Sequence, residues 1–228
     1  MLALKLGLSL NNIKTLGGWS PDDEASLVAW YKNKTGVLLS GSNVTKWDDS
    51  STNSYFMQQP TSAEQPAYDA ANGKLTFDGS DDHMQLASGA ISLTGDFTIG
   101  MKIKVESGLG VPLASNTAVG EFFRFTATNE LRVRINNAIA VNMTLLSGVW
   151  DAGELVVTRS SGSLNMYWKG VLQTSGVSPA LSGTADIDAL GVRRTDLNPY
   201  DGDMFEVQIY SSSSADLTTN VNDYLSSL

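Results

Sequence analysis

An acidic stretch is the part of the sequence best suited to hold a metal ion. The segment FDGSDD places Asp78, Asp81 and Asp82 close together. Calcium binds six to eight oxygen atoms from carboxylates and carbonyls, so three carboxylates supply only part of its shell. Asp78 followed by Gly79 is also typical of a tight turn. We therefore expect a turn with solvated Asp81 and Asp82 and no required cofactor, with a structural calcium ion as the open alternative.

Another two carboxylates are of the residue types that sugar cleavage requires. Glycosidases need two carboxylates that flank one glycosidic bond, and the segment DMFE carries Asp203 and Glu206. These two residues differ in parity, so strand alternation sends them to opposite faces. Glu206 is predicted to be a solvated outer residue. The sequence thus predicts no catalytic residue and no enzymatic activity.

Histidine and cysteine chemistry is restricted by composition. His83 is the single histidine, and the chain has no cysteine. A zinc site made from these residue types would need further ligands, and a Ser-His-Asp triad would need a nucleophile elbow, which we do not find. His83 is predicted to lie exposed in a loop or at a strand edge.

Two tryptophans are candidates for sugar binding. An exposed aromatic ring with polar neighbours offers an apolar surface together with hydrogen-bonding groups. Trp19 lies beside GG and SPD, and Trp150 lies before an aspartate, so both are near turn-forming residues. We expect these two rings to be the exposed ones.

Short alternating runs must position these residues. FTIGMKIKV, LRVRI, LNMYW and FEVQIY each place apolar side chains on one parity, the pattern of a strand with one buried face. In FEVQIY the inner residues are predicted to be Phe205, Val207 and Ile209. Turn residues separate the runs. Many short strands of this kind predict an antiparallel sandwich or barrel.

Helical signals are confined to two places. Ser20 followed by Pro21 suits the start of a short helix. The tail after Ser214 has apolar residues at helical spacing and predicts a short C-terminal helix. With 15 Lys and Arg against 24 Asp and Glu, the formal charge is −9, which disfavours nucleic acid and anionic membranes as partners.

The first residues form a separate pattern. In MLALKLGLSL, every second residue is leucine, so one face of an extended strand is apolar. A seam at GGWSPD separates this stretch from the rest. We predict a docking arm over residues 1–20 and one domain over 21–228. The arm is predicted to bind a partner by adding a strand to its sheet edge, through Leu2, Leu4, Leu6, Leu8 and Leu10.

Several stretches, in order, resemble the concanavalin A-like jelly roll in its laminin-G-like form. They are LVAWYK, VTKWDDSSTNS, QPAYDAANGKLTFDGSDDHMQL, NMYWKGVLQTSG and YDGDMFEVQIYSSSSADLTTNVNDYL, which lie between residues 24 and 228. The resemblance implies an all-β, concanavalin A-like antiparallel β-sandwich with an extended N-terminal arm and a short C-terminal helix. It also implies that Trp30, Trp47 and Trp168 lie in the core. The Glu-x-Asp-x-x-Glu run of the family's glucanases is missing here.

The arm extends the resemblance in one direction. Such an arm ahead of such a domain resembles virion structural proteins of tailed bacteriophages, notably those of marine cyanobacteria. This implies location in the virion, a role in capsid decoration or at the tail, and other virion proteins as partners. We expect a homo-oligomer or a place in a multi-protein assembly. The alternative is a lectin-like carbohydrate-binding module that attaches to host or polysaccharide glycans.

Overall fold

Three long strands organise the fold: Phe97–Val105, Gly153–Ser160 and Asp201–Tyr210. In the computed structural model they pair antiparallel, with Phe97–Val105 in the middle. The structure describes residues 18–106, 110–115, 120–135, 141–148, 150–173, 181–192 and 198–228. The predicted docking strand, Leu2 to Leu10, lies outside these residues.

In the described residues the strands are numbered in chain order. They are β1 Leu27–Tyr31, β2 Val37–Ser40, β3 Asn43–Trp47, β4 Met57–Gln58, β5 Ala67–Asp69, β6 Lys74–Asp78, β7 Met84–Leu86, β8 Ile91–Leu93, β9 Phe97–Val105, β10 Gly110–Ser115, β11 Gly120–Ala127, β12 Glu130–Val133, β13 Val141–Thr144, β14 Gly153–Ser160, β15 Ser163–Trp168, β16 Val171–Leu172, β17 Ala185–Ile187, β18 Ala189–Leu190 and β19 Asp201–Tyr210. Short 3₁₀ turns occupy Pro21–Asp23 and Ser62–Glu64, and the α-helix α1 spans Ala215–Ser226.

The strands form two layers that share one core. In the first layer β19 pairs with β9, and β14, β15 and β16 follow. The other edge of β19 pairs with β6 along its first half and with β1 along its second. The second layer runs β2, β3, β4, β7, β18, β10, β11, β12, β13. Apolar residues from both layers interlock between them. The predicted all-β sandwich is therefore confirmed.

A register shift changes which residues of β19 face the core. The pairing of β19 with β9 slips between Met204 and Glu206, and a bulge of this kind moves the following side chains to the other face. Met204 lies in the core together with Val207 and Ile209. Phe205, which strict alternation assigned to the core, is half-buried.

The C-terminal helix packs on the outer face of the first layer. Ser214 caps α1, since its Oγ accepts a hydrogen bond from the Leu217 N–H at 3.0 Å. The apolar side of α1 forms a second cluster with Val156 and Tyr210. The predicted helix start is confirmed. Among the described residues, no helix has the length and apolar character needed to cross a membrane.

Candidate functional site

A pocket lies where the chain enters β1 and where α1 ends. Its volume is about 320 Å³. We call it the Trp19 pocket, and it is lined by Gly18, Trp19, Asn220, Asp223, Tyr224 and Ser227. Two aromatic rings and four polar or backbone positions thus meet in one concave surface.

The Trp19 ring is fixed by neighbours from three elements. Its Nε1 donates to Glu24 Oε1 at 3.1 Å. Its centroid lies 6.0 Å from that of Tyr224, edge-on at 80°, and 6.5 Å from that of Tyr210. Trp19 and Tyr224 are half-buried, so parts of both rings face the solvent. The prediction that Trp19 is exposed is therefore met only in part, because the ring is half-buried.

Helix α1 brings the polar groups of the pocket to the rings. Leu217, Val221 and Leu225 are buried on its inner side. Gly100 of β9 makes this close packing possible, because a Cβ at Gly100 would overlap Val221 Cγ1 and lie 3.1 Å from Leu225 Cδ1. With its inner side fixed, α1 presents Asn220 and Asp223 to the pocket.

A buried carboxylate supports one wall of the pocket from behind. Glu206 is 0% exposed. It accepts hydrogen bonds from Trp30 Nε1 at 2.6 Å, from the Asn33 N–H at 2.9 Å and from Gln208 Nε2 at 2.7 Å. The Trp30 ring in turn contacts the Tyr224 ring edge-on at 6.1 Å. Glu206 therefore holds Trp30, on which a wall of the pocket rests.

The position of Glu206 corrects the prediction of a solvated residue. Parity placed Glu206 and Asp203 on opposite faces, but in the register with β9 they lie opposite Lys102 and Lys104. These two lysines share a face, so the bulge brings both carboxylates to the same face. Burial raises the pKa of Glu206, and its hydrogen bonds oppose this shift.

Asp203 is also engaged by its surroundings. Its carboxylate accepts from Lys74 Nζ at 2.7 Å and from Thr76 Oγ1 at 2.8 Å, and both donors belong to β6. The residue is buried. Asp203 therefore helps to hold β6 against β19.

The acidic loop after β6 is a turn with one buried carboxylate. Gly79 has φ +74°, and the Ser80 N–H donates to Asp78 Oδ1 at 2.8 Å. The predicted turn is confirmed. Asp81 is exposed, but the prediction of a solvated Asp82 is wrong: Asp82 is buried, and its Oδ2 accepts from the Asp78 N–H at 3.0 Å.

The close approach of three carboxylates in this loop indicates whether it could bind a metal ion. Oxygen atoms of Asp78, Asp81 and Asp82 lie within 4.8 Å of one another. Burial, together with the charges of Asp78 and Asp81, raises the pKa of Asp82 to about 6. A divalent cation would relieve this repulsion, so the three carboxylates fit part of a calcium shell.

Replacing Asp82 by asparagine is expected to raise the unfolding temperature at pH 7.5. The amide removes the repulsion, and its oxygen can still accept from the Asp78 N–H. In the native protein the folded state keeps the proton up to about pH 6, while the unfolded chain loses it near 3.8. Stability from this group is complete below pH 3.8 and is lost as the pH rises through 6. Calorimetry from pH 4 to 7.5 checks this.

Two controls define the result. Glu206 contributes a pH effect of the same sign, so Asp82→Asn removes only the Asp82 share. Asp81→Asn, at an exposed position, should have a smaller effect. If millimolar calcium stabilises the native protein and not Asp82→Asn, the loop binds the ion; equal midpoints with and without calcium would reject the ion. An Asp82→Asn midpoint below that of the native protein would contradict the assigned repulsion.

His83 is buried, which corrects the prediction of an exposed residue. Its Nδ1 lies 2.8 Å from the Asp81 carbonyl oxygen and donates to it. Its Nε2 lies 2.9 Å from Gln59 Nε2 and accepts from that amide. Both ring nitrogens are thus used to hold the loop.

The segment WDDSS and the following Asn53 close the outer edge of β1. Asp49 accepts from the Trp30 N–H at 2.8 Å. Ser51 Oγ and Asn53 Nδ2 donate to the Val28 carbonyl oxygen at 3.1 and 2.9 Å. Asp49 is therefore a structural residue.

The remaining tryptophans follow the predictions. Trp30, Trp47 and Trp168 are buried, while Trp150 is 53% exposed. Trp150 lies beside Gly148, away from the residues of the Trp19 pocket. Tyr224, Asn220 and Asp223 were not predicted as site residues, and only their helical spacing from one another indicated a common face.

A family model described as the concanavalin A-like lectin/glucanases superfamily matches residues 78–216. This match covers more than half of the chain. The protein belongs to the concanavalin A-like lectin/glucanase superfamily. The resemblance inferred from the ordered motifs is thereby confirmed. Comparison with curated protein sequences finds no match.

Several solved structures have a similar fold. A sialidase of Trypanosoma rangeli in complex with sialic acid has a TM-score of 0.59 at 15% identity, covering 89% of this chain and 33% of the sialidase. Domain 4 of AbnA, a GH43 extracellular arabinanase of Geobacillus stearothermophilus, in complex with arabinotriose, has 0.51 at 16%, covering 88% and 98%. A heptameric SAP-like pentraxin of Limulus polyphemus has 0.50 at 11%, covering 65% and 79%.

These comparisons correct the prediction of a chain without enzymatic activity. The absence of the glucanase motif predicts a chain that is not an enzyme, but sialidases share this fold, so that prediction is wrong. The chain spans about a third of the length of the sialidases it matches. At this identity the likeness shows a fold shared with glycosidases.

Proposed function

We propose that this superfamily member is a carbohydrate-binding module and that the Trp19 pocket holds the sugar. The observation that carries the proposal is the meeting of Trp19 and Tyr224 with Asn220, Asp223 and Ser227 in one concave surface. The fold supplies the context, since a domain of similar structure and similar size was solved with arabinotriose.

The chemistry of the lining residues matches a sugar. A sugar ring has an apolar face of C–H groups, which packs against aromatic rings, and a rim of hydroxyl groups. The half-exposed rings of Trp19 and Tyr224 supply the apolar surface. The amide of Asn220 donates and accepts, and the carboxylate of Asp223 accepts. Ser227 Oγ donates its proton to the Tyr224 carbonyl oxygen at 2.6 Å, so towards a sugar it acts as an acceptor.

Replacing Trp19 by alanine is expected to weaken sugar binding at least about tenfold, because aromatic residues at the centre of a contact dominate its energy. Binding is measured by a glycan array, followed by titration calorimetry with the oligosaccharide retained, starting with arabino-oligosaccharides.

Trp150→Ala is the matched control, since it removes an exposed tryptophan outside the pocket. Equal loss in both variants would reject the Trp19 pocket as the site. Absence of any glycan bound by the native protein, with calcium present or removed, would reject the proposed function.

The alternating leucines support a second proposal, docking to a larger assembly such as the virion of a tailed bacteriophage. Five leucines of residues 2–10 share one parity. Burying each would contribute about 1.5–3 kcal/mol before ordering costs. Addition of this strand to the sheet edge of a capsid or tail protein would use these side chains together with main-chain hydrogen bonds.

Deleting residues 1–12 is expected to abolish association with particles, because it removes the whole alternating segment. Cosedimentation of the protein with particles measures this association. The control is Lys5→Ala, which keeps every leucine. If the shortened protein still cosediments as the native protein does, the docking proposal is wrong.

A further inference from the structure

The charges around the Trp19 pocket bear on which sugars it accepts. We propose that the pocket binds neutral sugar residues and excludes acidic ones, such as sialic and uronic acids. This inference rests on the proposed function and adds the chemical class of the ligand.

Carboxylates lie in the pocket itself and in the turn that leads into β1. Asp223 is itself a lining residue and is exposed. Glu24 lies against the Trp19 ring, where its Oε1 accepts from Nε1. Asp22 and Asp23 precede Glu24 in the same turn, and Glu206 lies buried beneath Trp30. An acidic sugar in the pocket would enter this set of negative charges.

The two nearest tyrosines respond to the same charges. Burial raises the pKa of Tyr224, and the charges of Glu206 and Asp22 raise it further. Burial also raises the pKa of Tyr210, with Glu206 and Glu24 adding to the shift. A phenolate and a sugar carboxylate are both anions, so the charges of Glu206, Glu24 and Asp22 that add to these shifts also act against a sugar carboxylate.

Among the residues that the structure describes, Lys32 and Lys102 lie on neighbouring strands or loops but do not line the pocket. Lys32 lies over the Trp30 ring, with Nζ 4.4 Å from the centroid. Lys102 donates to the carbonyl oxygens of Leu225 and Leu228 and lies 3.7 Å from Glu154. None of the six lining residues is basic. A sugar carboxylate would therefore meet Asp223 without a lining residue to pair with.

Pairs of neutral and acidic sugars test the inference with the full chain. Methyl-esterified oligogalacturonate is compared with the free acid, and lactose with sialyllactose, by calorimetry and by array. Within each pair that binds, the neutral sugar is expected to bind at least about tenfold tighter than the acidic one at low salt. High salt should reduce this difference in affinity, because it screens the charges.

Asp223→Asn is expected to reduce the difference in affinity between the neutral and the acidic sugar, because it strengthens binding of the acidic one. The asparagine amide has the size of the aspartate carboxylate but no charge. Asp216→Asn is the matched control, because it makes the same change in the first turn of α1, outside the pocket. Thermal unfolding checks that both variants fold.

The outcomes separate the two proposals. Equal or tighter binding of the acidic sugars, displaced by Trp19→Ala, would overturn the selectivity and leave the carbohydrate-binding function standing. If Asp216→Asn changed the difference in affinity as much as Asp223→Asn, the assignment to Asp223 would be wrong. If the native protein bound no glycan, the proposed function would fall and this inference with it.

Discussion

Replacing Glu206 by alanine is expected to lower the free energy of unfolding by about 2–4 kcal/mol. The reason is the set of donors that would lose their acceptor: Trp30 Nε1, the Asn33 N–H and Gln208 Nε2. Each buried donor left without a partner costs free energy, and the missing side chain leaves a cavity. Removing a buried charge offsets part of this loss. Urea unfolding followed by circular dichroism measures the difference.

Two further variants define this result. Glu206→Gln keeps one acceptor oxygen and should lose less stability than the alanine variant. Glu106→Ala is the control, because Glu106 is an exposed carboxylate whose partner is Lys104, and exposed pairs contribute about 1 kcal/mol or less. If Glu206→Ala unfolded at the same urea concentration as the native protein, the supporting role of Glu206 would be wrong.

Replacing Gly100 by valine is expected to displace α1, lower stability by about 1–3 kcal/mol and abolish sugar binding. The new side chain would occupy the space of Val221 and Leu225. Because α1 carries Asn220, Asp223 and Tyr224, its displacement opens the pocket. Unfolding experiments and calorimetry with the sugar found for the native protein measure the two effects.

Gly95→Ala is the matched control, since a Cβ at Gly95 meets no atom within 4 Å. The double variant Gly100→Ala with Val221→Ala should recover stability relative to Gly100→Ala alone, because the smaller side chain makes room. Native-like stability and binding in Gly100→Val would show that α1 does not need this close approach.

The sequence was sufficient to predict those elements that are determined by local residue patterns. The alternation of β9 and the Ser214 cap of α1 both predicted what is observed. The bulge in β19 was not predictable, because it is defined by the partner strand and not by the run itself. That bulge decides the position of Glu206. A register shift of one residue therefore changed the expected solvated side chain into a buried one.

The candidate site was predictable only in part. Trp19 was identified from its turn-rich surroundings. Its partners come from the other end of the chain, and their approach depends on Gly100, which alternation placed on an ordinary polar face. Asp82 and His83 were assigned to the surface because such residues usually are exposed. Contacts with Asp78 and Gln59 bury them instead.

The closed edge of β1 has a consequence for crowded copies of the protein. An open edge strand presents free N–H and C=O groups to neighbouring molecules and promotes aggregation. Here Asp49 accepts a hydrogen bond from the Trp30 N–H, and Ser51 and Asn53 donate hydrogen bonds to the Val28 carbonyl oxygen. Many copies held side by side therefore cannot join their sheets through this edge. Dense display of the domain is thus compatible with keeping each copy a separate folded unit along this side.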